Sequence, residues 1–180
     1  EPLGFGLHGV LAARKDAVTG IINGIDTELW DPSTDALIPQ RYDANSLAAK
    51  RVNTRALQHR MGLAQDDSIP VLGAVSRLAY QKGLDLLLQI APRLAKLPAQ
   101  LVVQGVGDDE LQREFHSLAR QHPGKIAVST EFDEALAHLI EAGSDMFLMP
   151  SRFEPCGMNQ MYSQRYGTPP VVHATGGLAD

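Results

Sequence analysis

The residues best suited to chemistry lie in three short loops. In Ser76-Arg77-Leu78-Ala79-Tyr80-Gln81-Lys82-Gly83, Arg77 offers a planar fork to phosphate oxygens and Lys82 a movable point charge. A helical pattern follows, whose first-turn N–H groups add partial positive charge. Together these make a diphosphate clamp; the plain alternative is that Arg77 pairs with a surface carboxylate and Lys82 is simply solvated. In Pro150-Ser151-Arg152-Phe153-Glu154-Pro155-Cys156-Gly157-Met158-Asn159-Gln160, Pro155 stiffens the turn that carries Glu154. A carboxylate fixed there can accept hydrogen bonds from sugar hydroxyls or stabilise developing positive charge. The N–H groups of Gly157 to Gln160 would face the same space, ready for an anion. The competing reading makes Glu154 a helix cap and Cys156 a small buried apolar residue.

The third loop, Gly105-Val106-Gly107-Asp108, invites a dinucleotide-binding reading and fails its test, because Glu110 stands where the third glycine belongs. Two glycines here read first as a sharp structural turn, with a place near a base or ribose left open. The six histidines show no metal-ligand spacing, and neither a nucleophile elbow nor a Walker loop is present. Met146, Met149, Met158 and Met161 read as core filler.

The elements that must position these loops follow from periodicity. Short apolar runs at Ile69 to Val75, Gln100 to Val103, Ile126 to Ser129, Met146 to Met149 and Pro170 to Val172 predict buried strands. Between them, apolar residues at three- and four-residue spacing predict helices over Leu84 to Leu97, Asp108 to Gln121, Asp133 to Ala142 and Asn159 to Tyr166. Such alternation gives an α/β, doubly wound, Rossmann-like parallel sheet with helices on both faces, its post-strand loops collected along one ligand-binding edge. Upstream, Val18 to Ile22 is another apolar segment, Asp26 to Asp43 reads as a linker or long surface loop, and Asn45 is expected to cap a helix Ser46 to Met61. In that helix Leu47, Val52, Ala56, Leu57 and Met61 share one side.

With 180 residues the chain has room for one well-buried domain. A net charge of −5 excludes a general electrostatic grip on nucleic acid or an anionic membrane, so any phosphate must be held locally. No apolar run reaches membrane-helix length. The single cysteine, Cys156, excludes an internal disulfide and points to a reducing, cytoplasmic setting. Both ends read as cut: Glu1 is not a natural start, and no helix follows the last strand before Asp180.

Ser76-Arg77-Leu78 with Gln81-Lys82-Gly83, then Ser151-Arg152-Phe153-Glu154-Pro155-Cys156-Gly157, then Thr175-Gly176-Gly177-Leu178 closely resemble the bacterial glycogen and starch synthases, ADP-glucose-dependent glucosyltransferases of the GT-B fold. Asn23-Gly24-Ile25-Asp26 extends the likeness toward the start. The resemblance implies residues 1–24 as the end of an acceptor-side domain, 25–66 as an interdomain linker and helix, and 67–180 as an incomplete donor-binding domain. It also implies that Arg77 and Lys82 neutralise the departing ADP, that Glu154 binds the transferred glucose near its reacting centre, and that Asn23 reaches that sugar from across the cleft. Amides at Cys156, Gly157 and Met158 would contact sugar hydroxyls, with Asn159 near phosphate; Gly105, Gly107, Thr175 and Gly176 complete the expected binding set. No cofactor or tightly bound metal is implied. The partners would be ADP-glucose and an α-1,4-glucan, the glucan held by a half of the protein outside this sequence, with retention of configuration. Two departures stand out. Tyr162 replaces a second glutamate found in many related transferases, and Phe132 occupies a position where relatives often carry a tyrosine that stacks on adenine. A non-catalytic nucleotide-binding module is the alternative reading.

Overall fold

The computed structural model describes residues 6–179; the outermost residues of the two expected end domains fall outside that range. Five strands form one sheet: β1 Val71–Val75, β2 Gln100–Gln104, β3 Ile126–Ser129, β4 Met146–Met149 and β5 Pro170–Val172. Their order is β3-β2-β1-β4-β5 and every pairing is parallel. The helices are α1 His8–Ala13, α2 Lys50–Arg60, α3 Leu84–Leu94, α4 Asp109–Gln121, α5 Glu134–Gly143 and α6 Met158–Arg165.

Side chains alternate across the sheet and divide the core in two. Val71, Val102, Ala127 and Phe147 face Leu57 of α2 and Leu136, Leu139 and Ile140 of α5. Ala74, Leu101, Val103 and Ile126 face Leu84, Leu87 and Ala91 of α3 and Phe115 and Leu118 of α4. Helices thus cover both faces, as the doubly wound pattern requires. The chain runs outward from β1 through β2 to β3, then returns to β4 on the other side of β1. The order therefore reverses between β1 and β4, and a ligand crevice opens outside their carboxyl ends.

Several boundaries differ from expectation for local reasons. The first strand starts at Val71 because Asp66 closes a turn over Asp66–Ile69, accepting from the Ser68 amide and hydroxyl. Helix α3 ends at Leu94 and tapers into tighter bonds, Lys96 N–H to Arg93 O and Leu97 N–H to Leu94 O, as the chain approaches Pro98. Asp108 and Asp133 stand outside α4 and α5 as caps, each accepting from first-turn amides.

Upstream the expectations need correction. Asn45 caps nothing; Asp43 accepts from the amides of Asn45 and Ser46, and a single 3-10 turn, Leu47–Ala49, precedes α2. Of the expected apolar face only part is buried: Leu57 lies in the core with Ala56 and Met61 packed against it. Helix α2 buries Asn53, Thr54, Leu57 and Gln58, while Leu47 and Val52 are exposed. The Asn53 amide pairs with both main-chain groups of Gln40, and the Gln58 Nε2 donates to Gln100 Oε1 and the Asp66 carbonyl. Val18 to Ile22 has no ladder partner among the described residues, and Ile21 is 89% exposed. The stretch from Asp26 to Asp43 is irregular but anchored: Ile38 and Tyr42 pack on Ala142 and Tyr166, and Asp35 is buried. Met146 and Met158 are exposed rather than core filler.

Candidate active site

The loop after β1 and the loop after β4 meet over the crevice. Gly83, at φ +67°, lets the first pass under the second, since a Cβ there would collide with the Pro150 carbonyl. The Arg152 and Phe153 amides donate to the Gln81 carbonyl at 2.9 and 3.4 Å, and the Gln81 side chain donates to Phe153 O at 3.1 Å. Lys82 Nζ, carried on the first loop, thereby reaches Glu154 Oε2 on the second at 2.5 Å. Glu154 is only 7% exposed, and its carboxylate also accepts from the buried Ser151 hydroxyl at 3.2 Å.

A cavity of about 400 Å³ opens here, and Arg77, Lys82 and Glu154 all line it. Asn23, Cys156, Gly157, Met158 and Asn159 line it too. Arg77 is exposed and makes no ion pair among the described residues. Helix α6 begins at this wall behind Gly157, with no side chain capping it; Gln160 N–H donates to the Gly157 carbonyl, and the Met158 and Asn159 N–H groups remain available to an anion. The Asn159 side-chain amide donates to Val75 O at 2.7 Å, tying that turn to the end of β1. Asn23 crosses from the chain's early segment: its carbonyl lies 3.8 Å from Cys156 Sγ and its amide 4.0 Å from Met158 Sδ.

A second cavity of about 360 Å³ shares Val75, Ser76, Arg77 and Asn159 with the first. Gly105, Phe132, Trp30 and Gln104 are among its walls, and the Phe132 ring is 93% exposed beside it. Gln104 donates to the Asp133 carbonyl at 2.6 Å and so holds the loop that presents Phe132. An aromatic face next to a cationic cavity suits a base joined to a diphosphate.

The remaining expected residues lie elsewhere. Gly107 lines neither cavity; with Gly105 it lets the 76–78 segment pack against the turn, since a Cβ on either would strike the Ser76 or Leu78 carbonyl. Thr175 and Gly176 support the Glu154 loop from outside the cavity. Gly177 N–H donates to Glu154 O, the Thr175 hydroxyl donates to Arg152 O, and a Cβ on Gly176, at φ +51°, would strike Glu154 O.

Composition gave no signal for several supporting groups. Asp35 is buried between His138 Nδ1 at 2.8 Å and the Tyr166 hydroxyl at 2.6 Å. Burial pushes its carboxyl up, yet those hydrogen bonds prevail and hold it below the usual carboxylate range. His138 stacks on Trp30, which stacks in turn on Tyr162, so Tyr162 is part of an aromatic pile. Asp85 holds Arg152 in a two-pronged pair, and the hydrogen bond from Arg152, against some burial, lowers the Asp85 carboxyl. Among the described residues no group of three or more His, Cys, Asp or Glu side chains is placed to hold a metal ion.

Comparisons with known proteins bear on this geometry. A family model described as glycosyl transferases group 1 matches residues 58–180. The chain is 60% identical over all its 180 residues to a glycogen synthase of Nitrosomonas europaea, covering 36% of that protein. It is 57% identical over 180 residues to a glycogen synthase of Dechloromonas aromatica, covering 37% of it. The chain therefore spans little more than a third of these relatives' length. Among solved structures, the catalytic domain of starch synthase IV from Arabidopsis thaliana, bound to ADP and acarbose, superposes with a TM-score of 0.92 at 39% identity, over 98% of this chain and 37% of that one.

Proposed function

Because the chain belongs to the group 1 glycosyl transferases, we propose that it is the donor-binding part of a glucosyltransferase that moves glucose from ADP-glucose to the non-reducing end of an α-1,4-glucan, with retention of configuration. The observation that carries this reading is the convergence of Arg77, Lys82 and Glu154 on one cavity beside an aromatic-walled one. The names of the relatives and the ADP in the starch synthase support the choice of donor and acceptor. Residues 67–180 are assigned to the donor-binding domain, 25–66 to the connection, and 1–24 to the acceptor side, from which Asn23 reaches the sugar.

In this reading the base lies on Phe132 and the diphosphate lies between Arg77, Lys82 and the first turn of α6. As the glycosidic bond to the diphosphate lengthens, negative charge grows on the departing phosphate and these donors stabilise it. Positive charge grows at the sugar, where Glu154, among the described residues the only carboxylate lining the cavity, offers the complementary charge. The Cys156, Gly157 and Met158 amides orient the hydroxyls.

The test is glucose transfer from ADP-glucose to glycogen by the intact protein. Glu154→Ala should lower kcat by roughly 10²–10³-fold, the range for removing one preorganised charge-stabilising group. Full activity in that variant would overturn the assignment and leave a module that only binds nucleotide.

A further inference from the structure

Arg152 and Asp85 do not line the donor cavity, yet they bracket the residues that do. Arg152 precedes Glu154 by two positions, and Asp85 follows Lys82 by three. One guanidinium nitrogen donates to Asp85 Oδ1 at 2.6 Å and to the Tyr80 carbonyl at 2.8 Å, while the other donates to Asp85 Oδ2 at 2.7 Å. The guanidinium carbon also lies 4.0 Å from the centre of the Tyr80 ring. The Arg152 main chain meanwhile donates to Gln81. Arg152 thus grips the chain on both sides of Lys82, at Tyr80 and Gln81 before it and at Asp85 after it.

We propose that the Arg152–Asp85 pair is a positioning device that holds the chain segment carrying Lys82 at the cavity wall, so that nucleotide affinity passes through it although neither residue touches the donor. The proposal rests on the reading of Lys82 as a phosphate ligand. Both partners are about a quarter exposed, and pairs of that kind contribute little to folding. Their geometry does something more particular: a planar fork held by a carboxylate and a ring fixes direction, which a lysine in the same place could not do.

The experiment is a double-mutant cycle on ADP binding, measured calorimetrically on the intact protein with wild type, Arg152→Ala, Lys82→Ala and the double variant, alongside thermal unfolding of each. Arg152→Ala should weaken ADP by about tenfold, and by less than about twofold once Lys82 is gone, because residues acting through one another are not additive. Asp85→Asn, which retains an acceptor and the fold, should follow the same pattern at about threefold. Equal losses from Arg152→Ala in the two backgrounds would assign the pair a merely structural role and overturn the proposal alone. ADP affinity unchanged by Lys82→Ala would overturn the reading of Lys82 itself, and the proposal with it.

Discussion

Glu154→Gln should bind ADP more tightly than wild type while transferring glucose far more slowly. The reason is a competition for Lys82. Lys82 Nζ lies 2.5 Å from Glu154 Oε2, with the two side chains 20% and 10% exposed. A charge-assisted hydrogen bond of this type contributes roughly 1.5–3 kcal/mol. Partial access of water lowers that figure, and about 1 kcal/mol is a fair measure of what Lys82 gives up when a diphosphate draws it away. The glutamine removes that competition and a negative charge near the phosphates, for about fivefold tighter ADP. Lys82→Met removes the cation itself, whose attraction for a phosphate at 4 Å is at most about 4 kcal/mol in a partly solvated site, so about 10²-fold weaker binding follows. Titration calorimetry at one ionic strength, on the wild type, both variants and their combination, reads all four affinities. If Glu154→Gln weakens ADP as Lys82→Met does, Glu154 is a nucleotide ligand rather than a competitor for Lys82, and the charge assignment above is wrong.

Three further perturbations separate binding from folding. Phe132 is 93% exposed, so Phe132→Ala should leave the unfolding temperature unchanged yet weaken ADP by about 5–100-fold through lost base stacking, while Phe132→Tyr binds as wild type; equal affinities for all three would remove the base from that wall. Gly176→Ala should cost about 1–3 kcal/mol in denaturant unfolding, because its φ of +51° disfavours a side chain and its Cβ would meet the Glu154 carbonyl, and kcat should fall with it; an unchanged protein would mean the Thr175–Leu178 turn does not support Glu154. The third concerns acid. The hydrogen bond from Arg152 lowers the Asp85 carboxyl despite some burial, so the folded state binds its proton less readily than the unfolded chain. The associated stability is present above about pH 4, the ordinary value, and is lost as pH falls through the lower folded value. Urea unfolding as a function of pH should therefore show a shallower acid limb in Asp85→Asn, and superimposable acid limbs would contradict the assigned shift.

The sheet was legible because its strands are short, nearly continuous apolar runs set between helical patterns; β3, β4 and β5 fall on the expected residues. Arg77, Lys82 and Glu154 could be picked out because each is a charge placed in a loop directly after an apolar run, and topology carries such loops to one edge. What stayed illegible depends on contacts across long separations. Gln58 donates to Gln100, 42 residues away, so part of a helix face that looks polar is buried. Asp35 meets His138 at a separation of 103, which turned an apparent linker into an anchored segment. Arg152 and Asp85, 67 apart, look like ordinary surface charges until the β1 and β4 loops are brought together.

That juxtaposition also explains how a chain of net charge −5 can hold a diphosphate. Arg51, Arg55, Arg60, Arg152 and Arg165 are each paired with an aspartate, so their charges are largely cancelled where they stand. Arg77 is exposed without such a partner among the described residues, and α6 starts beside it without a side-chain cap. Arg77, Lys82 and the start of α6 thus bring positive charge together at one cavity mouth. A long polyanion gains little from a molecule of net negative charge, whereas two phosphates on a nucleoside need only these local donors. In the proposed reading, binding therefore depends on the geometry of two loops rather than on the charge of the whole molecule.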